Sequence, residues 1–281
     1  MSAKLRKISH RATAHTAGDV HGRRTRRVGL TLVELLVAIA VTTMVVTALG
    51  SLTRAVQLSS EYSDGRSSAL QHARVTLSRI ERMVNEAHAS AQFPGAAVFA
   101  DVRGGWRLPE TLVVWHPTGA PMSPTGLPRF NELVIFCPQP SDPSKLLEIT
   151  APTDNRQVPV LTSTSWTAEL LALKAGSASK KVMLTELVRV GKIADESRGA
   201  VRFEAERRPS DAEWASYTAG TTTWENVSWV QGVRGAQTGL AQTWVRIELQ
   251  LMPVRPGGTT ADSPITFFGS AAAYYERYRT P

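Results

Sequence analysis

The stretch RRTRRVGLTLVELLVAIAVTTMVVTALGSL, residues Arg23–Leu52, decides how the chain is organised. Its arginines end just before Gly29, and the apolar run that follows contains one charged residue, Glu34. The 24 residues of Leu30–Thr53 would span about 36 Å as an α-helix at roughly 1.5 Å per residue, which exceeds the roughly 30 Å hydrocarbon core of a bilayer. Because the buried helices of soluble proteins rarely run this long without a charge, the stretch predicts a membrane-spanning helix over residues 30–53.

Basic residues are concentrated on the N-terminal side of this apolar run. Residues 1–29 contain eight lysines and arginines and one acid, Asp19, so they carry +7 of the chain's net charge of +8. The positive-inside rule therefore predicts a cytoplasmic N-terminus and an extracytoplasmic location for the residues after Arg54. The rest of the chain is nearly neutral and gives no sign of a phosphate-binding face, so no nucleic-acid partner is expected.

The boundary between the basic and apolar segments indicates where the chain is processed. Ordinary secretory signal peptides are cleaved after the apolar core, at a small-residue site of the Ala-x-Ala kind. No such site follows this core. A glycine between the charges and the apolar run instead favours cleavage before the core, which would leave the membrane-spanning helix on the mature chain.

The residues RRVG followed by LTLVELLVAIAV (26–41) resemble the class III leader and first helical turns of type IV pilins and type II secretion pseudopilins. The matching elements are basic residues that end in Gly29, an apolar first mature residue, Thr31, and Glu34 as the fifth mature residue. One departure is Leu30, where the family usually has phenylalanine. A leader of 29 residues is also long for this family, which favours a minor component over a major subunit.

The resemblance implies that a membrane prepilin peptidase cuts between Gly29 and Leu30 on the cytoplasmic side and then methylates the new α-amine of Leu30. It also implies that Glu34 serves assembly by neutralising the α-amine of a neighbouring subunit, so that neither charge lies unpaired in lipid. Considered from chemistry alone, Glu34 could equally extend towards the lipid headgroups at its end of the membrane. A carboxylate in the first helical turn also interacts favourably with the helix dipole.

A helical pattern continues beyond the membrane segment, over residues 54–88. Its apolar positions recur at spacings of three and four, as on one face of a helix: Leu70, Ala73, Leu77, Ile80, Val84 and Ala87. We therefore expect one long helix over residues 30–88, with a weak point at Gly65 because glycine costs about 1 kcal/mol inside a helix. The amphipathic stripe is expected to pack on a globular domain; contact with a partner helix is the alternative. The sequence ALQHARVTLSRIERMVNEA (69–87) resembles the membrane-distal helix of J-type minor pseudopilins.

Residues 89–281 predict a β-rich extracytoplasmic domain. Prolines cluster between Pro109 and Pro143, which excludes a long helix there, and WTAELLALKAG (166–176) predicts a short helix that stops at Gly176. A long helix followed by many short strands predicts an α+β fold, with the helix packed on antiparallel sheet; the J-type pseudopilins share this plan. The strand-like runs are TLVVWH (111–116), ELVIFC (132–137), KVMLTELVRV (181–190), AVRFEAE (200–206), VSWVQGV (227–233) and TWVRIELQLM (243–252).

The sequence predicts no catalytic, metal or cofactor site. After the leader the chain has three histidines, His72, His88 and His116, and none pairs with another at metal-ligand spacing. The single cysteine, Cys137, ends an apolar run and is expected to be a small buried side chain. The tryptophans of residues 214–229 are expected to pack over the sheet, with a carbohydrate-binding or partner-binding surface as the alternative. The end of the chain, AAAYYERYRTP (271–281), reads as an edge strand or a loose tail.

The features together predict a structural subunit that is not an enzyme. We expect a minor pseudopilin or pilin that waits in the inner membrane and is then assembled, near the tip, into a type II secretion pseudopilus or a type IV pilus-like filament. Its expected partners are the prepilin peptidase, other minor subunits through the N-terminal helix, membrane lipid and secreted cargo. Two alternatives stay open: a minor pilin for DNA uptake or adhesion, and a single-pass membrane-anchored enzyme or sensor that keeps its N-terminus.

Overall fold

The structure is a computed structural model that describes Gly29 and residues 31–232, 237–253 and 263–277. The leader residues 1–28 and Leu30, on which several sequence predictions fall, lie outside the described residues. The chain divides into two units, Met1–Ala55 and Val56–Pro281. The described residues form an α+β protein with a long apolar N-terminal helix and antiparallel sheets, as the sequence predicts.

Helix α1 (Leu32–Asn85) begins with an apolar segment whose residues are all exposed up to Ser60. Among the described residues, α1 is the one helix long and apolar enough to cross a membrane, and its most apolar window contains no buried residue. Exposed apolar surface of this length is unfavourable in water. The helix is therefore compatible with single-pass membrane anchoring.

The C-terminal part of α1, within the second unit, buries one face. Gly65, Ala69 and Ala73 follow one another at intervals of four and are all buried, so small residues line this face and let it approach the sheets closely. The helix is continuous through Gly65, where a weak point was predicted, and it ends at Asn85, three residues before the predicted end at His88. The predicted stripe is wrong at Leu70, which is 49% exposed because burial of Ala69 turns the next residue outward. The buried residues of α1 are Gly65, Ala69, Ala73, Thr76, Ile80, Met83 and Val84.

The described strands form a five-stranded sheet, a three-stranded sheet and a hairpin, and all of the strand pairs are antiparallel. The five-stranded sheet has the order β1-β2-β3-β4-β5, with β1 (Ala96–Arg103), β2 (Trp106–Trp115), β3 (Leu133–Gln139), β4 (Asp142–Thr150) and β5 (Lys180–Thr185). The hairpin pairs β6 (Val190–Ile193) with β7 (Glu196–Gly199). The three-stranded sheet has the order β10-β9-β8, with β8 (Val201–Arg208), β9 (Leu240–Leu251) and β10 (Ile265–Glu276).

Two of the predicted strands differ in the structure. Residues 227–232 form turns, so the predicted strand over 227–233 is wrong for its described part. The predicted strand over 181–190 is divided, because the Thr185 hydroxyl accepts a hydrogen bond from the Leu187 N–H at 3.2 Å as the chain leaves β5. The helix predicted over 166–176 is confirmed as α2 (Trp166–Ala175), which ends at Gly176. A third helix, α3 (Asp211–Thr218), was not predicted.

Side chains that alternate along β2 enter two different cores. Leu112 and Val114 pack with the buried face of α1 and with the three-stranded sheet. Val113 and Trp115 pack on the opposite face, where α2 contributes Trp166. Burial on both faces explains why β2 and β3 read as continuous apolar runs in the sequence.

Cys137 on β3 is fully buried in the core beneath α2, which confirms its expected role as a buried apolar side chain. Burial raises the pKa of the Cys137 thiol to about 11, because the charged thiolate loses its solvation. We expect the folded chain to resist iodoacetamide at pH 8 and to react fully once unfolded in urea. Since the chain has one cysteine, intact-mass spectrometry reports this site without mutagenesis, and rapid labelling of the native chain would contradict its burial.

A buried charge network joins α2 to the five-stranded sheet. Lys174 is 7% exposed, and its Nζ donates to Asp101 Oδ1 at 2.8 Å, to Asp101 Oδ2 at 2.6 Å and to Thr111 Oγ1 at 2.7 Å. Asp101 lies on β1 and Thr111 on β2. One ammonium ion therefore connects three elements.

Substitution of Lys174 tests how much this network stabilises the second unit. Lys174→Met keeps the length of the side chain but leaves the Asp101 carboxylate without its cation, and we expect the free energy of unfolding to fall by about 2–3 kcal/mol. Urea denaturation of the full chain in detergent, followed by tryptophan fluorescence, measures the change. Lys192→Met removes an exposed lysine and should change the free energy of unfolding by less than about 0.5 kcal/mol. Equal effects of the two substitutions would contradict the stabilising role.

Candidate processing and assembly site

Thr31 and Glu34 together begin helix α1. The Leu35 N–H donates to the Thr31 carbonyl at 3.1 Å, which makes Thr31 the residue that caps the helix. The Thr31 N–H and hydroxyl both donate to Glu34 Oε2, at 2.9 and 3.0 Å, and the Glu34 N–H donates to Thr31 Oγ1 at 3.3 Å. These reciprocal bonds form a capping box, which satisfies N–H groups that the first helical turn cannot satisfy itself.

The capping role of Glu34 was not predicted from the sequence. The signal was available, because threonine followed three residues later by glutamate before an apolar run is the sequence pattern of a capping box. The structure therefore adds a local partner to the two roles expected of the carboxylate, which were pairing with a neighbouring subunit and extension towards the headgroups. A capping role does not exclude either of them.

The capping box uses only part of the carboxylate. Both bonds that Glu34 accepts among the described residues go to Oε2, and the side chain is exposed. The second oxygen, Oε1, therefore retains its capacity to accept a hydrogen bond from a cation outside the chain. The bonds to Thr31 also hold the carboxylate at the N-terminal end of the helix, where the helix dipole favours a negative charge.

Gly29 lies exposed, two residues before the capping threonine. Apart from the adjoining residues, no described residue lies within 4 Å of a Cβ atom added at Gly29, and Gly50, inside the apolar segment, has similarly open surroundings outside its own helical turns. Neither glycine is needed by the fold to relieve crowding. Leu30, the other residue of the predicted cleavage bond, lies outside the described residues. The structure brings Thr31 and Glu34 into contact and gives Gly29 no hydrogen bond to either within the described chain.

Apart from Thr31 and Glu34, which form the cap, the polar side chains of the apolar segment bond within the helix. Each is a hydroxyl that donates to a carbonyl three or four residues earlier, at 2.7–2.9 Å. A hydroxyl that bonds in this way does not need an external partner in hydrocarbon. Glu34 is the one ionisable side chain of residues 31–53, so it is the one side chain there whose charge needs a partner in hydrocarbon. The hydroxyls belong to Thr42, Thr43, Thr47, Ser51 and Thr53.

The three histidines of the second unit lie apart and have different partners. His72 Nδ1 lies 3.2 Å from Thr185 Oγ1, His88 Nε2 lies 2.9 Å from the Pro124 carbonyl oxygen, and His116 Nε2 lies 3.2 Å from Glu86 Oε2. Within the described ranges, no three histidine, cysteine, aspartate or glutamate side chains are grouped so that they could hold a metal ion.

The tryptophans of residues 214–229 pack into the second unit. Trp224 is buried and contacts the ring of Trp214 at a centroid distance of 6.4 Å. The half-buried Trp229 donates from Nε1 to the Leu240 carbonyl at 3.2 Å. Arg277 lies over the ring of Trp214 at 4.3 Å. These contacts favour the packing interpretation over an open binding surface.

The C-terminal segment is a strand as far as Glu276, one residue before the end of the described chain. The run AAAYYE (271–276) completes β10, which confirms the edge-strand interpretation over the loose-tail one for these residues. Tyr278 and Arg279 lie outside the described residues.

Comparison of the chain with protein-family models, with curated proteins and with solved structures finds no match in any of the three.

Proposed function

We propose that this chain is a structural minor subunit of the type IV pilin-like class, closest to the J-type pseudopilins, and that it is assembled into a type II secretion pseudopilus or a related filament. The single observation that carries the proposal is the order of features at the start of α1. Basic residues precede an exposed Gly29, a capping threonine follows two residues later, and Glu34 is the lone charged residue of the apolar segment 31–53.

In this proposal a prepilin peptidase removes residues 1–29 and methylates the new amine of Leu30. The capping box survives this cleavage, because its donors are the Thr31 N–H, the Thr31 hydroxyl and the Glu34 N–H. All three groups lie after the Gly29–Leu30 bond. The mature helix would therefore begin with an ammonium ion one residue before its cap.

That ammonium ion needs a counter-ion when subunits pack within the membrane. Glu34 Oε2 is engaged by Thr31, whereas Oε1 is free to accept from the α-amine of an adjoining subunit. Such a pair would neutralise both charges in lipid and would fix the axial register of neighbouring helices. In this family the subunit thought to cap the tip usually lacks the glutamate, so Glu34 favours a position below the cap.

The second unit supports the proposal through its architecture. The C-terminal part of α1 packs against antiparallel sheets, which is the plan expected of an extracytoplasmic pseudopilin domain. In the proposal this domain contacts sibling minor subunits or secreted cargo, and the chain is anchored in the inner membrane with its N-terminus in the cytoplasm.

The assembly step is tested by following the chain into filaments. Filaments sheared from cells that make the assembly ATPase are expected to contain this chain in its shortened form. Cells that lack the ATPase should keep the same shortened form in the membrane fraction. A chain that stays in the membrane in both strains would contradict assembly and would favour a membrane-anchored enzyme or sensor.

A further inference from the structure

Strand β5 leaves part of a sheet edge uncovered. It is an outer strand of the five-stranded sheet and pairs with β4 alone among the described strands. Its last two residues lie against α1, where the Thr76 hydroxyl approaches the Leu184 carbonyl at 3.5 Å and Thr185 is buried. Its first four residues, Lys180–Met183, are all exposed.

The outer edge of β10, unlike that of β5, is covered by side chains of α1. The Ser270 N–H donates to Glu81 Oε1 at 3.2 Å, and the Ala272 N–H donates to Asn85 Oδ1 at 3.2 Å. Side chains of α1 thus satisfy outward-facing amides of β10, which protects that edge from pairing with another strand. No corresponding side-chain bond covers Lys180–Met183 within the described part of the chain.

The uncovered edge combines apolar side chains with unpaired positive charge. Val182 is 44% and Met183 is 49% exposed, and as neighbours in a strand they face opposite sides of the sheet. Lys180 and Lys181 are exposed and form no ion pair with any described residue. An incoming strand would therefore find backbone groups to bond, an apolar contact on each face, and two ammonium ions.

We propose that Lys180–Met183 binds an extended, acidic segment of a partner protein, which adds to the sheet as a further strand beside β5. Main-chain hydrogen bonds would supply affinity, and the lysines would select for carboxylates on the incoming strand. A second copy of this chain is disfavoured as the occupant, since it would bring four lysines to one seam, where like charges repel. The proposal does not depend on the proposed filament function.

The test uses the full chain in detergent and synthetic peptides that carry a fluorophore. The acidic probe has the sequence Thr-Glu-Val-Glu-Val-Thr, and a second probe has lysine in place of both glutamates. A third keeps the acidic sequence but is N-methylated on alternate residues, so that one of its edges cannot donate hydrogen bonds. Fluorescence anisotropy is expected to show that the acidic probe binds at least about tenfold tighter than either of the other two.

Charge-reversed variants test whether the acidic probe binds at the edge formed by Lys180–Met183. In K180E/K181E the acidic probe should lose at least about tenfold in affinity, and the lysine probe should gain affinity. The control R107E/K192E makes the same change in net charge at exposed positions of β2 and β6 and should bind the acidic probe as the unaltered chain does. Circular dichroism checks that both variants are folded.

Four outcomes would overturn the proposal. They are no binding of the acidic probe, equal binding of the N-methylated probe, equal losses in the two double variants, and a dimer of the chain that K180E/K181E abolishes. The last outcome would identify a second copy as the occupant.

Discussion

A Gly29→Ala variant is expected to accumulate in membranes as the uncut chain of 281 residues, with little or none of the form that begins at Leu30. The expected cause is crowding in the proposed prepilin peptidase, which we expect to accommodate hydrogen but not a methyl group at this position. Crowding among the described residues does not explain it, because none of them lies within 4 Å of a Cβ atom added at Gly29. Intact-mass spectrometry of the membrane fraction measures the ratio of uncut to cut chain.

Gly50→Ala is the matched control for this prediction. Gly50 also has open space around an added Cβ atom, lies within α1, and is 21 residues past Gly29 in the sequence. Its substitution should leave cleavage unchanged. Normal cleavage of the Gly29 variant, or equal loss of cleavage in both variants, would contradict an essential glycine at the cleavage bond.

Substitution of Glu34 is expected to separate processing from assembly. Glu34→Ala and Glu34→Gln should both be cleaved normally, because the carboxylate lies beyond the cleavage bond. Both should lower the amount of this chain in sheared filaments at least about tenfold, since each leaves the α-amine of the adjoining subunit without a counter-ion in lipid. Quantitative immunoblots of the filament and membrane fractions give the incorporated share.

The comparison between the two Glu34 variants is decisive, because glutamine can complete a capping box as glutamate does. Glu34→Gln therefore keeps the local bonds to Thr31 while removing the charge. If the glutamine variant assembles normally and the alanine variant does not, helix capping explains the need for Glu34 and the charge-pair account is wrong. Equal defects would support the account, and normal assembly of both variants would remove any assembly role.

The apolar pattern predicted the elements that depend on long or alternating runs. The length of the apolar run 30–53 predicted α1, and the alternation of apolar and polar residues over 243–252 predicted β9. Both patterns extend over many consecutive residues, so each can be recognised in the sequence. Strands β1, β4 and β7 and helix α3 were missed. All four are short, and α3 begins with a capping box at Ser210 and Glu213 whose pattern was overlooked, as it was at Thr31.

The buried face of α1 shows why periodicity alone was insufficient. Spacing favoured Leu70 because it is large and apolar, but close approach of the helix to the sheets required the smaller Ala69 at the contact. Whether Ala69 or Leu70 faces the sheets depends on the distance between the helix and the sheets, and that distance cannot be predicted from a single sequence. The hydrogen bonds of Lys174 could not be predicted from the sequence either, because the residues that form them come from α2, β1 and β2, which are distant in sequence. At the candidate site, the resemblance to pilins made Gly29 and Glu34 the expected residues, and the bonds to Thr31 were found in the structure.

The most direct test of the account is the N-terminal mass of the chain purified from the membranes of cells that make a working prepilin peptidase. The account predicts a chain that starts at Leu30, with or without one added methyl group, and that reverts to a Met1 start when the peptidase is deleted. A chain that keeps its arginine-rich leader while the peptidase is active would contradict both the processing and the charge pairing that depends on it.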